Sequence, residues 1–124
     1  MDYRSVNFAQ KFGLLGERWQ PRVVAELNDY QFKVVRLQGD FVWHSHRDTD
    51  EAFLVMEGEL RIDFRDGAVR IGPGEMFVVP KGVRHNPVAE EECHLMLIER
   101  KSTKHTGDVV TDKTRSLDEQ LRPV

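Results

Sequence analysis

The 124-residue chain predicts an all-β fold, an antiparallel barrel or jelly roll. Three observations carry this. Apolar runs rich in β-branched and aromatic residues recur at roughly eight- to twelve-residue spacing. Between them lie turn formers: Asn28-Asp29, Asp66-Gly67, Gly72-Pro73-Gly74 and Pro80-Lys81-Gly82. From Leu60 to Arg65 apolar and charged residues alternate strictly, the period of a half-exposed strand. The length suits one domain, 1–124, with a barrel core at about 20–100 and a C-terminal arm at 101–124.

Taken in order, Val6, Phe8, Phe12 and Leu15 stand near helical spacing after Ser5, which predicts a short capped helix whose role is packing. Val23–Leu27 and Tyr30–Leu37 read as a hairpin that turns near Asn28. Gly39-Asp40 then leads into a strand over 41–46, with Val42, His44 and His46 on one face and Phe41, Trp43 and Ser45 on the other. In the strand after it, Glu51, Phe53 and Val55 oppose Ala52, Leu54 and Met56. Strands apolar on both faces are covered on both. The predicted helix is short, so the expected cover for the second face is another subunit, in a homodimer.

Leu60–Phe64 and Ala68–Ile71 form a second hairpin, and Met76–Val79 reads as a short buried strand. His85 opens the next strand, Ala89–Glu92 reads as a solvated acidic loop, and Cys93–Ile98 is the last strong strand. Ser116-Leu117-Asp118-Glu119 has the form of a capping box opening a terminal helical turn, anchored by Leu117 and Leu121.

Composition narrows the function. A net charge of -3 offers no electrostatic reason to bind nucleic acid. No apolar run reaches the roughly 18 residues that would cross a membrane. The N-terminus lacks a signal-peptide core, which predicts a cytoplasmic protein. Cys93 is the single cysteine and reads as a small buried residue, since His94 beside it points to the opposite face. His94 reads as a packing histidine and His105 as a surface one. The pairs Asp48 and Asp50, and Glu57 and Glu59, sit at turns and read as solvated charge.

The chemistry concentrates in His44-Ser-His46 and Glu51, with His85 from a separate segment. Residues i and i+2 of a strand share a face, so both imidazoles of the first segment can converge on one point. A turn over Arg47–Asp50 would bring Glu51 to them. Three imidazoles and a carboxylate, without thiolate, suit one divalent ion of Fe, Mn, Zn, Ni or Co. Such an ion keeps a formal charge of about +1 and leaves one or two octahedral positions open to an oxygen ligand. Val42, Phe53, Val55, Leu60, Ile62, Phe64 and Val83 are the apolar residues expected around it.

At these positions the sequence resembles the cupin family. Gly39, His44, His46, Glu51 and Gly58 follow its first motif, with four residues instead of five between Gly39 and His44. Gly74, Pro80, Gly82 and His85 follow its second, except that Ala89 stands where that motif has Asn. The resemblance implies a double-stranded β-helix, the jelly-roll cupin barrel, and a metal held by His44, His46, Glu51 and His85. It also implies either a metalloenzyme acting on a small organic substrate, an isomerase or a non-haem iron dioxygenase, or a non-catalytic small-molecule binding or sensor module. Small single-domain cupins are likened to the cupin domain of mannose-6-phosphate isomerase, whose further domains have no counterpart here. Candidate substrate-binding residues are Phe53 and the loop cations Arg47, Lys81 and Arg84, which also read simply as solvated loop charges. No catalytic residue separate from the metal ligands is identifiable.

Overall fold

The computed structural model describes residue 1 and residues 3–101. The predicted terminal helical turn, His105 and all of the arm beyond Lys101 lie outside the described residues. Helix α1 (Phe8–Gly13) is followed by β1 (Arg22–Leu27), β2 (Tyr30–Asp40), β3 (Glu51–Glu57), β4 (Leu60–Phe64), β5 (Gly67–Ile71), β6 (Met76–Val79) and β7 (Asn86–Arg100). All pairings are antiparallel. The strand order is β1-β2-β7-β3-β6, with β4 pairing both β5 and β7, and the fold is an all-β jelly roll.

β7 is the spine. Its C-terminal half lies between β2 and β3, while its N-terminal end pairs with β4 and with the end of β2. One strand therefore joins both ends of the barrel. Residues 89–92, expected to be a loop, lie inside it. Ala89 is fully buried, and the pairing steps from Leu37–Cys93 to Gly39–Ala89, so extra residues bulge out of β7 there. The acidic composition misled because Glu92 on the bulge is not solvated charge. It accepts hydrogen bonds from Arg36 at 2.7 Å and Arg18 at 3.1 Å, and Arg36 foremost holds its carboxyl down to about 2.

Period-2 alternation sorts the interior. Val35 and Leu37 of β2, Phe53 and Val55 of β3, Leu60 and Ile62 of β4, and Cys93, Leu95 and Leu97 of β7 form one core. Cys93 is buried as expected, and burial pushes its thiol up to about 12. A second, smaller core lies on the outer face of β2, where Phe12 and Leu15 pack on Val34, flanked by Phe8, Val24 and Met56. The helix begins later than predicted because Asn7, not Ser5, caps it, its side chain accepting from Gln10 N at 2.9 Å. Phe12 stacks on His94 at 4.6 Å, and the His94 ring nitrogens face Glu57 at 3.1 Å and Glu92 at 3.3 Å.

Two further expectations are corrected. Residues 41–50 form no regular strand; within them only His44 is bridged, to His85. β6 is not buried but an edge strand, with Met76 56% and Val78 44% exposed, because among the described residues no strand or helix lies outside it.

Gly58, in the β3–β4 turn, has φ +83°, and a Cβ there would lie 2.7 Å from the Glu92 carbonyl oxygen on the β7 bulge. Backbone on both sides cannot yield. Gly58→Ala is therefore expected to destabilise the fold by about 2 to 4 kcal/mol. Gly67→Ala, at an ordinary φ with no neighbour within 4 Å, should change it by less than about 0.5 kcal/mol. Denaturant midpoints of the two variants check this.

Candidate metal centre

The site is built on one short ladder rung. His44 N donates to His85 O at 3.0 Å and His85 N to His44 O at 2.9 Å, a reciprocal pair that sets two imidazoles side by side with centroids 4.3 Å apart. The loop between His46 and Glu51 is tied down from the opposite turn. Gly82 N donates to His46 O at 2.7 Å, and Lys81 N to the Asp50 carboxylate at 2.8 Å. Gly82 reaches this geometry at φ +80°, open to glycine without strain. Glu51, first residue of β3, faces inward on the same side as Phe53 and Val55.

These constraints bring His44, His46, Glu51 and His85 together, each offering one ligand atom within 4.8 Å of the others, all buried. His44 Nε2, His46 Nε2, Glu51 Oε1 and His85 Nε2 have no hydrogen-bond partner among the described residues. The closest approaches to Glu51 Oε1 are 3.4 Å from His46 and 3.5 Å from His85. Four buried polar atoms aimed at one another and left unpaired would be costly in a finished core. The donor set fits a divalent ion, which would satisfy all four.

Two rings are already set for that role. His44 Nδ1 lies 2.9 Å from Val42 O and His85 Nδ1 2.9 Å from Val83 O, so each donates Nδ1–H to a carbonyl and leaves Nε2 with its lone pair. Burial first, and then neighbouring His85, pushes the His44 pKa down to about 4, so at neutral pH this ring carries no competing proton.

Behind the carboxylate lies an array that the sequence did not reveal. Glu51 stands opposite Glu99 in the β3–β7 register, and Lys33 Nζ donates to Glu99 Oε1 at 2.9 Å; the three are 2%, 0% and 1% exposed. Burial first, and then the charge of Glu51, pushes the Glu99 pKa well above the usual carboxylate range. Burial alone would raise Glu51 as well, but a hydrogen bond from Glu99 and the adjacent His46 outweigh it and hold Glu51 down. Glu99 Oε1 thus accepts from Lys33, and the raised pKa favours the protonated carboxyl beside Glu51. The net result is one anion at the cluster and one compensating cation behind it. The signal available in the sequence was parity: Lys33 alternates in phase with Val35 and Leu37, and Glu99 with Leu95 and Leu97.

A narrow cavity opens beside the cluster. It holds about 330 Å³ of free space, its open end included. His44 and Glu51 form its polar edge, and Phe53, Phe41, Trp19 and leucines of β2 and β7 line the rest. Phe41, expected on the far face, turns inward because its segment is not a regular strand; it is buried, edge-on to His44 at 5.5 Å. Val55, Leu60 and Ile62 belong to the core but do not line the cavity. Of the candidate substrate residues, only Phe53 lines it. Arg47 and Lys81 are exposed, and Arg84 donates to Trp43 O at 3.2 Å, bracing the loop before His44.

If Glu99 holds Glu51 in ligating position, replacing both members of the array, Lys33→Met with Glu99→Leu so that no buried ammonium is stranded, should weaken metal binding by about 10- to 100-fold. Glu99→Gln retains a donor for Glu51 and an acceptor for Lys33 and should stay within about threefold. Chelator competition measures both. A glutamine variant as impaired as the double variant would contradict this assignment.

The family model described as "Cupin domain" matches residues 33–99. A cupin-2 domain containing protein from Shewanella frigidimarina NCIMB 400, of known crystal structure, is 58% identical, over 77% of this chain and 93% of that one, with a TM-score of 0.75. Protein NMB1881 from Neisseria meningitidis is 40% identical, over 78% of this chain and 99% of that one, with a TM-score of 0.71. "Uncharacterized protein YdbB" of Bacillus subtilis (strain 168) is 38% identical over 63 residues, 50% of this chain, and the match spans 56% of that relative's length. The matched residues begin at Lys33 and end at Glu99, enclosing all four clustered ligands. This chain belongs to the cupin family.

Proposed function

We propose that the protein binds one divalent metal ion through His44, His46, Glu51 and His85 and uses it on a small organic molecule held in the adjoining cavity. The observation that carries this reading is the set of four buried, mutually directed ligand atoms without hydrogen-bond partners among the described residues. A bound ion would supply Lewis acidity or a site for O2 at coordination positions the four side chains leave open. The chain's own part is to turn the Nε2 lone pairs of His44 and His85 to the ion, to keep Glu51 anionic through Glu99, and to exclude water with Phe41, Phe53 and Trp19.

A second reading, a non-catalytic binding module, is favoured by one feature. Among the described residues, the ionisable ones lining the cavity are His44 and Glu51, and both are assigned to the metal. No separate general base stands there among the described residues. Elemental analysis of protein expressed without a metal-binding tag is expected to give about one divalent ion per chain, lost in His85→Ala. A chain that takes up no ion on reconstitution with Fe, Mn, Zn, Ni or Co would refute the reading. Turnover by the loaded protein separates its two forms.

Oligomeric state belongs to the same proposal. α1 covers the outer face near Val34 and Met56, but the pairs Leu54–Met76 and Ala52–Val78 continue that face onto β6, where Met76 and Val78 are exposed. A second copy covering this strip supports a homodimer. Sedimentation at micromolar concentration should then show twice the chain mass, reduced to the monomer by Met76→Asp with Val78→Asp. Monomer alone for the unmodified chain would contradict it.

A further inference from the structure

The cavity walls carry information about what enters. Trp19 sits at φ +62°, a region that a bulky residue rarely adopts, and is fixed there by Trp19 N donating to Arg36 O at 2.8 Å and Nε1 donating to Gln38 O at 3.1 Å. Its indole lies flat on Phe41, 4.7 Å between centroids and 8° between planes. Phe41 in turn meets His44 edge-on, and Phe53 meets His85 edge-on at 5.9 Å. Aromatic surfaces thus extend from the cavity wall to the ligands without a polar side chain between them. Hydrogen bonding to Gln38 also commits the Trp19 donor to the backbone.

We propose that this cavity takes a thin, apolar-bodied molecule, a flat aromatic or conjugated ring, with one or two oxygen donors at a single end directed to the metal, and that it rejects polyhydroxylated and phosphorylated compounds. This rests on the metal reading above and narrows it to a substrate class. Among the described residues His44 and Glu51 alone give the cavity a polar edge, so a ligand's oxygens are satisfied at the ion. Each further hydroxyl buried here would lack a partner and weaken binding by on the order of tenfold. A phosphate would fare worse, since Arg47, Lys81 and Arg84 are absent from the lining. The narrow free space excludes bulky, puckered bodies, while the flat walls favour stacking.

The test uses zinc-loaded protein, with zinc content measured on each sample, and 4-nitrocatechol as the probe. In Trp43→Phe, Trp19 is the one tryptophan left of the two in the chain, so its fluorescence reports on the cavity wall. Saturable quenching is expected, undisturbed by a hundredfold excess of mannose 6-phosphate. In the otherwise unmodified chain, Trp19→Ala should weaken nitrocatechol binding, followed by its absorbance, about tenfold at unchanged zinc content. Trp19→Phe should stay within about threefold, and it carries the comparison if the alanine variant does not fold. Zinc-loaded protein that shows no saturable binding, that releases the probe to mannose 6-phosphate, or that binds it equally well as Trp19→Ala overturns this inference alone. Protein that loads neither zinc nor Fe, Mn, Ni or Co overturns the metal reading and this inference with it.

Discussion

The antiparallel register of β3 on β7, with Glu51 opposite Glu99, is the constraint on which the rest of the structure depends. It places a ligand carboxylate at the first position of one strand against a protonated carboxyl near the end of another. A slip of one residue would turn Glu51 outward, along with Phe53 and Val55, and empty both the cluster and the core. Because β7 also pairs with β2, the same register brings the interior face of β2, and with it Lys33, up to Glu99. Core, cavity wall and charge array are three stretches of one set of alternating positions.

Burying Lys33, Glu99 and Glu51 is expensive unless every charge is compensated. The structure meets the cost by letting only one of the two carboxyls ionise. The raised pKa of Glu99 favours its neutral form between the Glu51 carboxylate and the Lys33 ammonium that donates to it, which leaves a single separated pair of charges in the interior. Four of the buried atoms without a hydrogen-bond partner among the described residues, His44 Nε2, His46 Nε2, His85 Nε2 and Glu51 Oε1, face one another at the cluster. A doubly charged ion is the one addition that satisfies imidazole lone pairs and carboxylate together, which is why the cluster is better understood as a ligand set than as an ordinary polar core.

Polarity is divided sharply along the barrel. Ionisable groups gather at the cluster and behind it, while the cavity beside them is walled by aromatic and aliphatic carbon. Low polarity there would strengthen each metal–oxygen contact of a bound ion by excluding competing water. It would also make that ion the main attraction for an oxygen entering the cavity. Trp19, delivered by the segment before β1 in a left-handed backbone conformation, completes this wall from outside the strands.

The β-rich character, most strand positions and the four clustered ligands were legible in the chain because they rest on local chemistry. Alternation exposes the inward face of β2, β3 and β4; Asn28-Asp29 and Gly58 mark their turns; His44, His46, Glu51 and His85 stand at recognisable spacing. What the sequence hid depends on partners distant in the chain. The acidic stretch 89–92 became strand because Arg36 and Arg18 accept the burden of Glu92, and residues 41–46 gave up a regular strand for one rung with His85. Lys33 and Glu99 lie 66 residues apart, and only the pairing of β2 with β7 brings them within 2.9 Å of each other. Sequence alone thus determined the fold class and the ligand types, since periodicity and side-chain chemistry are local. Tertiary structure alone decided which charges are buried and what lines the cavity, since the cost of burying a group depends on neighbours that only the folded strand register supplies.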